Sequence, residues 1–211
     1  MSMLPFSDRV DAAHLLAQRL ANFAGSRPLI LAIPRGAVPI GRVLADTLDG
    51  ELDVVLVRKL GAPFNPEFAV GAVDEAGEVQ VADYAVSAGA SEAYLREEAK
   101  RQLLRIRQQR LLYGKGRAAR DPRNRVVIVV DDGLATGATM AAALTWVRKH
   151  APKRLICAIP VASADALTRM TDLADEVVCL ATPPNFSSVG AHYLRFEQVE
   201  DAEVVALLQP S

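Results

Sequence analysis

Two aspartates stand side by side in "VVIVVDDGLATGATM", Val126 to Met140, directly after five apolar residues. Adjacent like charges repel, so Asp131 and Asp132 bring no stability to the end of a buried strand. Their use is chemical. A carboxylate pair accepts hydrogen bonds from vicinal hydroxyls, such as the 2′- and 3′-OH of a ribose, and stabilises positive charge developing on a sugar ring. The next residues, "ATGAT" from Ala135 to Thr139, open a helix. Its first amides and the Thr136 and Thr139 hydroxyls would converge on an anion, helped by the helix dipole. Gly137 and Ala138 let the anion approach the backbone. Hydroxyl acceptors beside an anion cradle describe a site for a ribose 5-phosphate.

Such residues need a scaffold that gathers strand ends. Apolar runs predict strands over Leu29–Ile33, Leu52–Val57, Arg125–Val130, Arg154–Val161 and Glu176–Leu180. Helices are predicted from a Ser7 or Asp8 cap onward, with Val10, Ala13, Leu16, Leu20 and Phe23 at helical spacing, and over 40–48, 91–112, 137–150 and 164–173. Between Arg58 and Glu78, Gly61, Pro63, Pro66, Gly71 and Gly77 break the pattern. Short strands such as "FAVGAV" fit there, and Pro63–Pro66 reads as a loop. Near-continuous apolar strands alternating with helices argue an α/β fold, a doubly wound and mostly parallel sheet with helices on both faces. Ligands of such sheets bind beyond the carboxyl ends of the strands, where Asp131 and Asp132 fall. The chain reads as one domain over 1–211, with a core at about 29–180 and a small hood from the first helix and residues 181–211.

Composition narrows the function. Of 211 residues, 51% are apolar, enough for a sizeable core, and the net charge of −1 offers no argument for nucleic acid or an anionic membrane. No apolar run approaches the roughly 20 residues that span a bilayer. The opening "MSMLPFSDRVDAAHLL" lacks the basic-then-apolar pattern of a signal peptide. Cys157 and Cys179 lie in apolar runs without metal-site spacing, which fits a reducing, cytoplasmic setting.

The stretch "VVIVVDDGLATGAT" closely resembles the signature of the type I phosphoribosyltransferases. A Walker A loop, the other common phosphate cradle, is absent from the sequence. The resemblance implies that Asp131 and Asp132 hold the ribose hydroxyls of 5-phosphoribosyl-1-pyrophosphate (PRPP). It assigns the 5′-phosphate to Ala135, Thr136, Gly137, Ala138 and Thr139.

Two further motifs support it. "AIPRGAVPIG", Ala32 to Gly41, follows the first strand, where the family has a pyrophosphate loop, which gives Arg35 and Gly36 that role. The loop often carries a cis non-proline peptide in the family, expected here around Arg35–Gly36. "VLVRKLGAP", Val55 to Pro63, reads as a strand ending in Arg58-Lys59 before a mobile catalytic loop. Lys59 is the better pyrophosphate contact and a catalytic candidate with the aspartates, since an ammonium can follow a leaving group as a loop closes. In place of a lysine-rich loop the chain has "PFNPEF", whose Glu67 reads as a surface carboxylate.

The resemblance covers about Leu29 to Leu180 and is closest to stand-alone bacterial phosphoribosyltransferase-like proteins of unassigned acceptor. It implies transfer of the phosphoribosyl group from PRPP to a small nitrogen acceptor with release of pyrophosphate. Mg²⁺ would be held mainly by PRPP, with no direct protein ligand, and the chain would form a homodimer. The closing "TPPNFSSVGAHYLRF" falls where the family covers its base. Phe186 or Tyr193 would stack on the acceptor, and Ser187, Ser188 or His192 would bond its edge. Ser91 to Arg125 is rich in arginine and lysine but offers only Tyr94 and Tyr113 for stacking. A solvated or subunit-facing surface therefore explains it better than RNA binding. Two other readings compete: a PRPP-sensing protein without catalysis, and a PRPP-synthetase-like kinase, against which the short chain and missing ATP site weigh.

Overall fold

A computed structural model describes residues 4–114 and 119–209. Lys115 and Arg117 of the basic segment, and the side chain of Glu67, lie outside what is described. In chain order the elements are α1 (Arg9–Arg19), β1 (Leu29–Ala32), α2 (Val38–Leu48), β2 (Glu51–Val54), β3 (Val57–Ala62), β4 (Asn65–Asp74) and β5 (Val79–Val81). Then follow α3 (Glu92–Gly114), β6 (Val126–Val130), α4 (Ala138–Lys149), β7 (Arg154–Val161), α5 (Ala164–Met170), β8 (Glu176–Ala181) and α6 (Asp201–Leu207).

Five of the strands form one all-parallel sheet in the order β2-β1-β6-β7-β8. Alternate residues of these strands serve two separate cores. Ile30, Ala32, Ile128, Val130, Ile156 and Ala158 pack in a cluster with α1 and α2. Leu29, Leu31, Val127, Val129, Leu155 and Cys157 pack in another with α4 and α5. A strand buried on both faces has to be apolar throughout, which is why these runs show no alternation. The doubly wound parallel sheet is as the sequence predicts.

The segment after β2 differs. The single strand expected over Leu52–Val57 breaks after Val54, and Val57 starts a second, antiparallel sheet, β3-β4-β5. Glu75 Oε1 accepts from the Leu56 amide at 3.3 Å across the break. Arg58 and Lys59 therefore lie inside β3, opposite Val73 and Ala72, and not at a strand end before a long loop. The loop expected over Pro63–Pro66 shrinks to a turn at Pro63 and Phe64. A continuous apolar run carries no mark of where one sheet ends and the next begins.

The two ends of the domain meet over the carboxyl edge of the parallel sheet. Phe6 bridges Tyr193 in parallel fashion, the Phe6 amide donating to His192 O at 2.9 Å and the Leu194 amide to Phe6 O at 2.8 Å. Asp8 then caps α1, accepting from the Val10 and Asp11 amides at 3.0 Å each. The short helix α6 was not anticipated from the sequence.

Candidate active site

Asp131 and Asp132 follow β6 at the centre of the parallel sheet, between β1 and β7. Both are half-buried. Burial and the neighbouring Asp132 charge push the Asp131 carboxyl well above the usual carboxylate range. Burial also raises Asp132, opposed by Arg9. Arg9 comes from the start of α1, 123 positions away, and its Nε and Nη2 lie 3.0 and 2.9 Å from the same Asp132 Oδ2. Its Nη1 donates to Glu197 O at 2.7 Å, and its guanidinium stacks 3.9 Å from the centre of the Phe196 ring. The hood thus supplies the acid pair with a cation that the sequence analysis did not single out. No local pattern could have marked it, because the contact joins segments far apart in the chain.

Gly36, just after β1, closes the other side of Asp132. A Cβ at position 36 would stand 2.0 Å from Asp132 Oδ2, so only glycine leaves that carboxylate its place. A cis peptide precedes this glycine, at Pro34–Arg35, one bond earlier than the sequence reading put it. The Arg35 guanidinium is turned toward α6, with Nη1 3.8 Å from Asp201 Oδ1 and 4.0 Å from Glu200 Oε2.

The turn after the acids is held from behind. The Leu134 amide donates to Val161 O at 2.9 Å, and Ser163 Oγ donates to Ala135 O at 2.8 Å. Gly137, with φ +73°, is the N-cap of α4, and no side chain caps that helix. The Ala138 amide meets Thr136 Oγ1 at a long 3.5 Å. Ala135 and Thr136 are exposed, and Ala138 and Thr139 half-exposed. An uncapped helix start with two hydroxyls beside it suits an oxyanion. Thr139 also joins Pro34, Arg58, Lys59 and Gln109 around a cleft of about 240 Å³, so the turn, the loop after β1 and the Arg-Lys pair converge.

The hood residues divide. Phe186 is half-buried, its ring 5.3 Å from that of His192, and Ser187 and Ser188 are exposed. Tyr193 cannot stack on an acceptor as expected: it is 6% exposed, between Phe6 and Phe196 at ring distances of 5.4 and 5.0 Å. Its hydroxyl instead donates to Asp132 O at 2.6 Å, and burial raises its pKa.

Among the described residues no three His, Cys, Asp or Glu side chains converge on one point. Two carboxylates beside an oxyanion turn are nonetheless a donor set that suits Mg²⁺, which takes few protein oxygens when phosphates and water complete its shell.

A family model described as "Phosphoribosyl transferase domain" matches residues 9–193, a span that takes in the parallel sheet, the acid pair and the threonine turn. The chain belongs to that family. It is similar to TT1426 from Thermus thermophilus, with 46% identity and a TM-score of 0.86 over 97% of this chain and 98% of that one. It is also 42% identical over 204 residues to a Mycobacterium tuberculosis protein named "Putative phosphoribosyl transferase Rv0571c". That match covers 96% of this chain but 46% of the relative, so the chain spans about half the length of the curated relatives it matches. The AQ2163 protein from Aquifex aeolicus, at 10% identity and a TM-score of 0.52 over 86% of this chain and 78% of that one, shares the fold alone.

Proposed function

We propose that the chain transfers the 5-phosphoribosyl group of PRPP to a nucleobase or another small nitrogen acceptor and releases pyrophosphate. The observation that carries this reading is the half-buried acid pair joined through one short turn to the uncapped start of α4. Asp131 and Asp132 hold the ribose hydroxyls, and Ala135 to Thr139 take the 5′-phosphate. Arg35, Gly36, Arg58 and Lys59 serve the pyrophosphate, with Lys59 following it as it leaves.

The reacting C1 passes through an oxocarbenium-like state, which the two carboxylates stabilise while the cations offset the charge on the leaving group. Mg²⁺, bound mainly through PRPP, supplies further charge neutralisation on the pyrophosphate. The protein contributes position and electrostatics, and the β3–β4 hairpin and hood exclude water that would hydrolyse PRPP. Phe186 and Ser188 flank the acceptor, while Tyr193 holds the acid pair. In this reading the chain works as one unit in a cytoplasmic homodimer.

Pyrophosphate release from PRPP and Mg²⁺, measured across a panel of nucleobases and amines, tests the reading. Turnover with one acceptor, lost in Asp131→Asn/Asp132→Asn, is the expected result. Tight PRPP binding without turnover on any acceptor points instead to a PRPP sensor, a reading favoured by the absence of a lysine-rich loop between Pro63 and Phe68. Unchanged PRPP affinity in the double variant refutes both.

A further inference from the structure

Gln109 stands on α3, outside the motifs that resemble a donor site, yet it lines the cleft of about 240 Å³ with Pro34, Arg58, Lys59 and Thr139. Its Oε1 accepts from Arg58 Nη2 of β3 at 2.9 Å. Arginine offers only donors, so the carboxamide has to present its oxygen to Arg58 and turn its nitrogen away. That nitrogen donates to Tyr113 Oη, one turn along α3, at a long 3.5 Å. Tyr113 is buried, and its hydroxyl donates in turn to Asp201 Oδ1, at the start of α6, at 2.5 Å. The same Asp201 oxygen lies 3.8 Å from Arg35 Nη1.

The donations run one way, from Arg58 through Gln109 and Tyr113 to Asp201, and each polarises the next. Burial and the bond to Asp201 push Tyr113 up to about 12, so its hydroxyl keeps the proton that this direction requires at neutral pH. The link that meets Arg58 is neutral, and that matters. One position further along α3, Arg110 meets the carboxylates of Asp53 and Glu75, which cancel its charge and make it a tie between segments. Gln109 holds Arg58 without such a charge, so the guanidinium keeps its attraction for an anion.

We propose that Gln109 is a positioning residue for the pyrophosphate of the donor: braced by Tyr113 and Asp201, it fixes Arg58 in the cleft without neutralising it. The bond occupies Nη2 and leaves Nε and Nη1 of Arg58 to phosphate oxygens. The brace ends beside Arg35, so both arginines given to the pyrophosphate touch one chain of side chains from α3 and α6. The inference rests on the assignment of Arg35 and Arg58 to the pyrophosphate and adds to it a residue from outside the three loops.

Titration calorimetry of the whole chain with inorganic pyrophosphate and, separately, with ribose 5-phosphate reads the two halves of the donor apart. Gln109→Leu is expected to weaken pyrophosphate about fivefold, a fraction of a charged hydrogen bond, and to leave ribose 5-phosphate unchanged. Tyr113→Phe removes the brace and acts in the same direction, but less. Gln109→Glu fills the same space and still accepts from Arg58, yet its charge cancels the guanidinium, so pyrophosphate weakens at least as much as in Gln109→Leu. A residue that only filled space would tolerate that isosteric change, and the glutamate variant carries the test where the leucine variant fails to fold. Gln108→Leu, on the exposed neighbour, leaves both affinities as they were. Normal pyrophosphate affinity in either Gln109 variant or in Tyr113→Phe overturns the proposal, as does an equal loss of both ligands. A wild-type chain that binds ribose 5-phosphate but no pyrophosphate refutes the assignment of the arginines themselves, and this proposal with it.

Discussion

Arg9 holds Asp132 through two nitrogens on a single oxygen, Nε at 3.0 Å and Nη2 at 2.9 Å from Oδ2. Their side chains are 11% and 15% exposed, so the pair works in a medium where charge is poorly screened. The same arginine opposes the rise in pKa that burial imposes on this carboxylate.

Replacing Arg9 with Gln removes the cation and leaves the acid pair uncompensated. The expected loss is about tenfold in PRPP affinity near neutral pH, from a charged hydrogen bond worth about 1.5–3 kcal/mol. Part of that loss returns as pH rises, because Asp132 then ionises without help. Titration calorimetry of Arg9→Gln from pH 6 to 9 checks it, and a pH-independent loss contradicts it.

Asp131 carries a cost in stability that its pKa reveals. Its folded-state pKa lies above the unfolded value, so the folded chain binds the proton more tightly than the unfolded chain. The penalty is fully present above the raised pKa and is relieved as pH falls through it toward the ordinary carboxylate range. Asp131→Asn removes the buried charge. It is expected to stabilise the chain by about 1–2 kcal/mol at neutral pH, roughly 2–8 °C in Tm, while PRPP binding fails. Thermal melts at pH 5 and 8 decide the matter, since the gain shrinks at the lower pH.

Tyr193→Phe separates the two roles given to that ring. Losing the bond from its hydroxyl to Asp132 O, 2.6 Å long, costs about 1 kcal/mol of stability and weakens PRPP binding several-fold. Acceptor preference in the pyrophosphate-release assay stays as it was. A changed preference shows that the ring reaches the acceptor.

Gly36→Ala puts a methyl group 2.0 Å from Asp132 Oδ2 and 3.3 Å from Arg9 Nη2. The carboxylate has to move, and its pairing with Arg9 moves with it. PRPP affinity is expected to fall by about a hundredfold, with a stability loss of about 1–3 kcal/mol, the range for overpacking. Near-normal binding in this variant refutes the close packing of position 36 on the acid pair.

What could be read in advance follows the range of the forces involved. The strand Val126–Val130, its acids and the turn to Thr139 are contiguous, and local pattern placed them well. The Arg154–Val161 run forms β7 over the residues expected. Arg58 and Lys59 were located but misread, because the apolar run from Leu52 to Val57 passes from one sheet into another without a polar residue at the break. Tyr193 was given a base to stack on, although Phe6 and Phe196 occupy its faces. Arg9 escaped notice altogether, since only the folded chain brings residues 9 and 132 together.

The clasp of Phe6 and Arg9 with Tyr193, Phe196 and Glu197 has a consequence for synthesis. Arg9 leaves the ribosome 188 residues ahead of its carbonyl partner Glu197. A nascent chain can pair β1 with β6 and display both aspartates long before the clasp can shut, because that closure spans nearly the whole domain. A chain released before position 193 would therefore present the acids on a sheet that lacks its clamp, so competence arrives in one late step.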